Sequence, residues 1–330
     1  MGSQNSFQIN NKLLKAKYGF CLYNSNDINT THFIKYYDEY FILKSKLFSE
    51  FVSKGDSVVE VGSNIGVDTK YLAHQVGSYG KVFAFESQRV VFQNLCANIA
   101  LNSIANVYAY NVFVGSKKED NNSLNLDDKV QQITLDSFEK QITNLKLIKV
   151  DIEKLKDVLK GASSLIKRFQ PILYLKNDNL ENSSDILQYL LSIGYDIYWH
   201  LPPFNHCDNF FKSIVSINIL CFPKDYKIDF DISKHFLQKV IDINHHPKSV
   251  KYLCQKAQKY AKQSQFQKAV DTYEKALKVA PTYLGTYFEF ASLLKFLNKS
   301  KEVLELFLIA LKYHPKDYRV HNNIAMVKRW

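Results

Sequence analysis

Two acidic residues, Asp151 and Glu153, follow an apolar run in the stretch KVDIEKLKDVLKGA, residues 149–162. The apolar residues before them are typical of a buried strand, so both carboxylates would lie where that strand leaves the core. Carboxylates in such a place accept protons or bind a divalent metal ion. The alternative is that they begin a solvated, lysine-rich helix, and these residues alone leave both interpretations open.

A second candidate site surrounds two glycines. The segment Glu60-Val61-Gly62-Ser63-Asn64-Ile65-Gly66 follows one apolar run, and Glu86 ends the next, 20 residues after Gly66. Glycines let the chain turn tightly and let a ligand approach the backbone. An acid at the end of the second strand, as Glu86 is, accepts hydrogen bonds from ribose hydroxyls. A dinucleotide dehydrogenase would carry G-x-G-x-x-G, and Glu60 would repel its phosphates. Glu60 instead favours a ligand with an amino-acid ammonium, such as S-adenosylmethionine.

The elements that position these residues are short strands alternating with helical stretches. Residues 33–53 have helical periodicity, and the predicted strands are SVVEVG, KVFAFE, NVYAYNVFV, LKLIKVD and PILYLK. This order predicts an α/β fold, a Rossmann-like parallel sheet with helices on both faces. Ligands of such sheets bind at the carboxyl ends of the strands, so the residues directly after each strand are the site candidates.

Four motifs in register resemble the FkbM-type S-adenosylmethionine-dependent methyltransferases. They are VVEVGSNIGVDTKYLA, VFAFESQRVVFQNLCANIALN, ITLDSF and LIKVDIEKLKDVLKGA, and their order and spacing match over roughly residues 50–225. The stretch YWHLPPFNHCDNFFKSIVSINILCFPKD, residues 198–225, is also similar to FkbM proteins that carry tetratricopeptide (TPR) repeats.

The resemblance implies a role for each matching residue. Residues of the glycine loop would line the methionine part of the cofactor, namely Glu60, Gly62, Ser63, Asn64 and Gly66. Glu86 and Ser87 would lie at the ribose, and Asn111, after the third strand, would contact the cofactor. The implied reaction is methyl transfer to a hydroxyl of a sugar, glycan or other small metabolite. Asp151 and Glu153 would then supply the base or a ligand for a divalent metal, which no residue pattern supports.

The chain departs from the family pattern beside those acids. FkbM proteins usually read D-x-E-G-x-E, whereas Lys154 replaces the glycine and Lys156 the second glutamate, and Lys176 stands where another glutamate is common. These lysines could neutralise the site, or bind an anionic acceptor. The plainer interpretation of Lys154 and Lys156 is that they occupy the first turn of the next helix.

Histidines and a Pro-Pro-Phe sequence are further candidates. His200 and His206 are possible general bases, although a structural histidine is the more common case. Pro202-Pro203-Phe204 resembles the acceptor motif of amino-group methyltransferases, but Leu201 precedes it where a polar residue is required. His245-His246-Pro247 is interpreted as part of a linker, not as a metal site.

The C-terminal part contains a repeat with a period of 34 residues. Positions that share this period are Pro281 and Pro315, Ala257, Ala291 and Ala325, Ala276 and Ala310, and Tyr273 and Phe307. Small residues that let helices approach, aromatics between them and a closing proline resemble the TPR pattern of paired helices. Two full repeats are predicted, at about 250–283 and 284–317, followed by a terminal helix.

Charge divides the chain in the same way. Residues 231–330 carry 18 Lys and Arg against 8 Asp and Glu, a net of +10, whereas residues 1–230 carry 25 against 24. A basic helical surface suits nucleic acid, an anionic membrane or an acidic partner, or is simply solvated. Two other functions therefore stay open: a nonenzymatic methyltransferase-like TPR scaffold, suggested by the three lysines, and a nucleic-acid methyltransferase, suggested by the basic segment and ranked last.

The predicted organisation has four parts: an N-terminal helical or cap segment (1–54), a methyltransferase domain (55–230), a linker (231–249) and TPR-like repeats (250–330). The apolar share of 46% is that of a globular protein. Five scattered cysteines without a CxxC pair indicate neither a zinc site nor a disulfide framework. Without a signal-like N-terminus or transmembrane stretch, we expect a cytoplasmic protein with a small-molecule or glycan acceptor, a protein partner for the repeats, and possible homo-oligomers.

Overall fold

The computed structural model describes residues 11–16, 18–25, 38–120, 130–202 and 217–328. These parts of the chain fold as two compact units, one from residues 1–176 and 221–230 and the other from residues 177–220 and 231–330. None of the described helices combines the length and the apolar character that a bilayer span requires.

The first unit contains most of a central sheet and the helices beside it. Its strands are β1 (Asn11–Ala16), β2 (Gly19–Asn24), β3 (Ser57–Val61), β4 (Lys81–Phe85), β5 (Val107–Tyr110), β6 (Phe113–Val114), β7 (Glu119–Asp120), β8 (Gln131–Ile133), β9 (Leu147–Val150) and β10 (Ile172–Lys176). Its helices are α1 (Asp38–Ser49), α2 (Val67–Val76), α3 (Arg89–Leu101), α4 (Leu155–Lys160) and α5 (Ser163–Phe169).

The second unit is mainly helical. It contains α6 (Leu180–Ser192), β11 (Tyr195–His200), β13 (Leu237–Lys239), α7 (Val250–Lys262), α8 (Phe266–Val279), α9 (Leu284–Phe296), α10 (Ser300–Tyr313) and α11 (Tyr318–Val327). The strand β12 (Asn218–Pro223) precedes β13, and the described strands of the main sheet run in the order β13-β11-β12-β10-β9-β3-β4-β5.

The predicted parallel sheet is confirmed for its central part. The five strands β10, β9, β3, β4 and β5 all pair in parallel, and every residue of β3 and β9 is buried. The apolar runs that predicted these strands are continuous because both faces of such a sheet are covered. The whole sheet is mixed, however, since β11 pairs with β13 in antiparallel fashion.

Three local predictions differ from the structure. The run NVYAYNVFV is not one strand, because the chain leaves the sheet at Asn111 and residues 113–114 pair with β8 in a separate small sheet. The segment 1–54 includes the hairpin of β1 and β2 besides α1. The segment 231–249, predicted as a linker, contributes β13 to the main sheet. The short strands β6 and β13 depend on pairing partners distant in sequence, which local patterns do not reveal.

Side-chain amides on α3 and at its C-cap bind the hairpin of β1 and β2. Asn98 accepts a hydrogen bond from the Leu22 N–H (2.6 Å) and donates to the Leu22 and Ile65 carbonyls (2.9 and 2.7 Å). Asn102 repeats the pattern at Phe20, accepting from its N–H (2.7 Å) and donating to its carbonyl (2.8 Å). These amides satisfy backbone groups at an exposed strand edge, which would otherwise be open to pairing with another chain.

The helices α7–α11 enclose an apolar core of their own. Ala257, Ala269, Ala276 and Ala310 are fully buried, and the Tyr273 ring stacks on Phe290 with centroids 5.3 Å apart. The alanines that share the 34-residue period at 257, 276 and 310 therefore lie where the helices pack closely together. Ala325, on α11, has the same period but is exposed.

Candidate functional site

The loop between β3 and α2 is shaped by three residues with positive φ: Gly62 (80°), Asn64 (51°) and Gly66 (85°). The N–H groups of Gly62 and Ser63 donate to the Phe85 carbonyl at 2.9 and 3.1 Å. A side chain at Gly62 would have no room, since its Cβ would lie 2.7 Å from the Asp151 carbonyl oxygen. The loop is therefore packed against the ends of both β4 and β9.

Glu86, directly after β4, is held by backbone amides. Its two carboxylate oxygens accept hydrogen bonds from the N–H groups of Asn64 and Gln88, each at 2.9 Å, and the residue is only 7% exposed. Asn111 donates to the carbonyls of Glu86 and Ser87 at 2.8 and 3.1 Å. A carboxylate has about four lone-pair positions, so this fixed and oriented group can still accept two ribose hydroxyls. These acceptor oxygens fit the ribose of S-adenosylmethionine.

Glu60 has different surroundings from those expected. Its side chain is fully buried, with Oε1 3.0 Å from Lys149 Nζ and Oε2 accepting from Thr69 Oγ1 at 2.6 Å. Burial raises the pKa of Glu60, Lys149 opposes that rise and Asp68 adds to it. Both oxygens face the core of the protein, so the structure gives Glu60 protein partners where the resemblance implied the cofactor ammonium. Ser63 is also buried, and its hydroxyl donates to the Glu60 carbonyl at 3.1 Å.

Five charged residues form what we call the Lys149 cluster: Lys44, Glu60, Asp68, Lys149 and Asp151. The buried Lys149 ammonium lies 3.0 Å from Glu60 Oε1, 3.0 Å from Asp68 Oδ2 and 4.0 Å from Asp151 Oδ2. Lys44 forms a second ion pair with Asp68. Burial alone would lower the pKa of Lys149, but Asp68, Glu60 and Asp151 outweigh it and raise that pKa. Lys149 therefore stays protonated beneath the glycine loop.

Asp68 makes the stability of this cluster depend on pH. Burial opposes its ionisation, but Lys44 and Lys149 prevail and lower the pKa of Asp68 from 3.8 to about 2. Because the unfolded chain binds the proton more tightly, this contribution, roughly 2 kcal/mol, is complete above pH 4 and disappears as the pH falls towards 2. We expect the difference in unfolding free energy between the wild type and Asp68→Asn to narrow over that range in urea titrations.

An exposed acid supplies the control for this pH dependence. Asp185→Asn, on the surface of α6, should keep the same small difference from the wild type at every pH. A difference for Asp68→Asn that stays constant from pH 5 to pH 2 would contradict the role assigned to Asp68.

Asp151 is the member of the cluster that reaches the surface. Its side chain is 42% exposed, and its Oδ1 lies 3.1 Å from Lys176 Nζ at the end of β10. Burial opposes ionisation here as well, but Lys149, Lys176 and Lys44 together lower the pKa of Asp151. The structure thus places an ionised carboxylate, flanked by two ammonium groups, at the end of β9.

The three lysines near Asp151 have different surroundings. Lys156 is exposed within α4, and Lys154 precedes that helix with its ammonium 5.4 Å from the centroid of the Phe113 ring, in cation–π range. Glu153 is exposed in the same turn. Of the three lysines, Lys176 forms an ion pair with Asp151. Lys154 and Lys156 lie at the start of α4.

The remaining candidates lie apart from this set. His200 ends β11 in the second unit and is fully buried, so it is not exposed to an acceptor arriving from solvent. His206, Pro203 and Phe204 lie outside the described residues. His246 accepts from the Lys248 N–H at 3.0 Å and contacts the Asn177 carbonyl at 2.6 Å, which is a capping role. No group of three or more His, Cys, Asp or Glu within the described ranges is placed to hold a metal ion.

Lys149, Asp68 and Lys44 were not identified from the sequence. A signal for Lys149 was present, because lysine is rarely buried without a partner and this one stands inside the apolar strand LIKV. Its partners could not be named, since Glu60 lies opposite it across β3 and β9 only through their register.

A family model described as the methyltransferase FkbM domain matches residues 60–197, and a tetratricopeptide repeat model matches residues 250–283. No curated protein matches the chain.

Among solved structures, a methyltransferase FkbM from Methylobacillus flagellatus KT is 18% identical with a TM-score of 0.41, covering 54% of this chain and 50% of that one. An rRNA methylase from Streptococcus thermophilus is 13% identical with a TM-score of 0.39, covering 55% and 94%. A SAM-dependent O-methyltransferase from Thermotoga maritima is 13% identical with a TM-score of 0.40, covering 66% and 78%. Residues 60–197 of this chain thus match an FkbM-type methyltransferase domain, and residues 250–283 match a TPR repeat.

Proposed function

We propose that this domain transfers the methyl group of S-adenosylmethionine to a hydroxyl oxygen of a sugar, glycan or other small metabolite. One observation carries the proposal: Asp151 is tied to the cofactor loop. Its N–H donates to the Val61 carbonyl at 2.9 Å, and its own carbonyl closes against Gly62. The exposed carboxylate of Asp151 therefore has a fixed place beside the loop that would hold the cofactor.

The cofactor-binding groups follow from the same geometry. Glu86 would hold the ribose, the backbone from Gly62 to Gly66 would line the rest of the ligand, and Asn111 keeps Glu86 and Ser87 in place through its two hydrogen bonds. S-adenosylmethionine, when bound, supplies a methyl group on a positively charged sulfur. The protein then accelerates transfer mainly by positioning, because aligned reactants avoid most of the entropic cost of meeting.

Asp151 is suited to orient the acceptor. Its lowered pKa makes it a weak base, so it would accept a hydrogen bond from the acceptor hydroxyl and take up the proton only as the carbon–oxygen bond forms and the carbon–sulfur bond breaks, which leaves S-adenosylhomocysteine. Lys149, Lys176 and Lys44 keep this carboxylate ionised, as a group that is to take up a proton must be.

The position of Lys176 favours an acceptor that carries a negative charge. Its side chain is 36% exposed and pairs with Asp151, so the ammonium is accessible from solvent. A carboxylate or phosphate on the acceptor, at a short distance from the hydroxyl to be methylated, would share this cation while Asp151 binds the hydroxyl. The lysine that departs from the family pattern would then select acidic sugars or phosphorylated glycans.

The exchange of Asp151 for asparagine tests its role. We expect Asp151→Asn to reduce kcat by about 100-fold or more, because the amide cannot take the proton, while the affinity for S-adenosylhomocysteine stays unchanged. Lys176→Gln is the matched comparison: it should raise KM for acidic acceptors and leave kcat for neutral ones nearly the same. An Asp151→Asn enzyme with wild-type kcat would contradict the proposal.

The function itself is tested by transfer of a radiolabelled methyl group to a panel of acceptors. Label in hydroxyl compounds, with acidic sugars preferred, supports the proposal. Label only in RNA or DNA would replace it by the nucleic-acid alternative, and cofactor binding without any transfer would favour the scaffold. The TPR segment would serve this activity by recruiting a protein partner or the protein that carries the acceptor.

A further inference from the structure

A cavity of about 780 Å³ lies in the first unit, away from the residues just described. Its lining includes Lys81, which begins β4, and Tyr108, near the start of β5. Glu86 and Asn111 follow the opposite ends of these strands. A strand of this length spans about 15 Å, so the cavity is at the amino edge of the sheet and the cofactor residues are at the carboxyl edge.

The lining of this cavity is basic. Lys54, Lys70 and Lys81 contribute to it, and none of the described residues that line it is acidic. Lys54 donates to the His74 carbonyl at 2.6 Å, and Lys70 donates to the Phe20 carbonyl at 2.8 Å. Carbonyl oxygens orient these ammonium groups without cancelling their charge. A concave surface with charges of one sign concentrates ligands of the opposite sign.

The end of α2 would ordinarily repel an anion, because free carbonyls give a helix C-terminus a negative partial charge. Here three carbonyls at this end of the helix already have side-chain donors. Asn106 donates to the Ala73 and Gly77 carbonyls, both at 2.8 Å, and Lys54 covers that of His74. The positive charge of the lysines therefore dominates this side of the cavity.

Two tyrosines add flat surfaces to the lining. Tyr79, in the turn between α2 and β4, is 92% exposed, which is unusual for so large a ring. Tyr108 is half exposed, with Phe83 stacked near it at 5.5 Å between centroids and the Lys81 ammonium 5.8 Å from its ring centroid. Exposed aromatic rings beside lysines are how proteins bind a nucleotide base and its phosphate together.

We propose that this cavity binds a nucleoside phosphate, with the base stacked on Tyr79 and the phosphate held by Lys54 and Lys81. The volume is within the range of small-molecule sites. The ligand could be a free nucleotide or the same unit within a single-stranded RNA, since both present a base and a phosphate. The site is independent of the cofactor residues and of the acceptor.

The probes are ATP, a short single-stranded RNA and ribose 5-phosphate, which lacks the base. Calorimetry is performed on the whole chain saturated with S-adenosylhomocysteine, so that an adenosine group cannot occupy the cofactor site. We expect ATP or the RNA to bind, and ribose 5-phosphate to bind at least about tenfold more weakly. Tyr79→Ala should weaken binding at least about fivefold through lost stacking, and Lys81→Gln should weaken it and reduce its salt dependence.

The matched control is Tyr252→Ala, an exposed tyrosine on α7, which should leave binding unchanged. Since Tyr79 is almost fully exposed, its substitution should also leave the melting temperature unchanged. Tighter binding of RNA than of ATP would identify a strand as the source of the ligand, and the reverse would identify a free nucleotide. Absence of binding at millimolar concentration, equal binding of ribose 5-phosphate, or unchanged affinity in both variants would overturn the proposal.

Discussion

Replacement of Glu86 by alanine should weaken the binding of S-adenosylhomocysteine by about 100-fold or more. Two hydrogen bonds from ribose hydroxyls to an ionised carboxylate each contribute about 1.5–3 kcal/mol, and tenfold in affinity corresponds to about 1.4 kcal/mol. The loss has a second source, because the N–H groups of Asn64 and Gln88 would lose the acceptor that aligns the glycine loop. Isothermal titration calorimetry measures the effect directly.

Two further variants separate binding from general damage. Glu86→Gln keeps one acceptor oxygen and the shape of the side chain, so its affinity should fall between those of the wild type and the alanine variant. Glu181→Ala removes an exposed glutamate on α6 and should bind as the wild type does. If Glu86→Ala retained affinity within about threefold, the ribose-binding role of Glu86 would have to be abandoned.

Lys149→Met should lower the free energy of unfolding by about 3–5 kcal/mol. The change removes the cation that lies within 3.0 Å of both Glu60 and Asp68, and a buried charge left without its partner is costly. Methionine has nearly the same length, so loss of packing adds little. Urea denaturation followed by circular dichroism measures the change.

The effect of Lys149 can be distinguished from ordinary core damage by restoring neutrality. Lys149→Met combined with Glu60→Gln removes one positive and one negative charge and leaves Asp68 paired with Lys44, so it should recover at least half of the lost stability. Lys176→Met is the control for a lysine in a partly exposed pair, which should cost less than about 1 kcal/mol. A Lys149→Met protein as stable as the wild type would show that Glu60 and Asp68 do not depend on this cation.

The features that the sequence predicted well are those encoded over short distances. The strands β3, β4, β9 and β10 are apolar runs of four or five residues, and the glycines at 62 and 66 adopt the positive φ that the loop requires. Glu86 was identified by its position in the sequence, 20 residues after Gly66, and its carboxylate accepts a hydrogen bond from the Asn64 N–H of that loop. The 34-residue period likewise identified helices whose alanines are buried.

Other features depend on contacts that no local pattern contains. The hairpin of β1 and β2 is held by amides on α3, about 80 residues later in the chain. The cavity at the amino edge of the sheet collects Lys54, Tyr79 and Tyr108 from separate turns and strands. Neither could be inferred from spacing, because both arise from the packing of segments that are remote in sequence.

The stretch KVDIEKLKDVLKGA contains features of both kinds, some predictable from local patterns and some dependent on the tertiary structure. By itself the sequence predicted that Asp151 follows a buried strand and that Lys156 belongs to the next helix, since both follow from apolar and helical periodicity, while it left Glu153 and Lys154 undecided. Only the tertiary structure decided that Lys149 is the partner of Glu60 and Asp68, and that Lys176 is the partner of Asp151. The physical reason is that these ion pairs depend on the register of β9 with β3 and β10. That register is set by how the whole sheet buries its apolar faces.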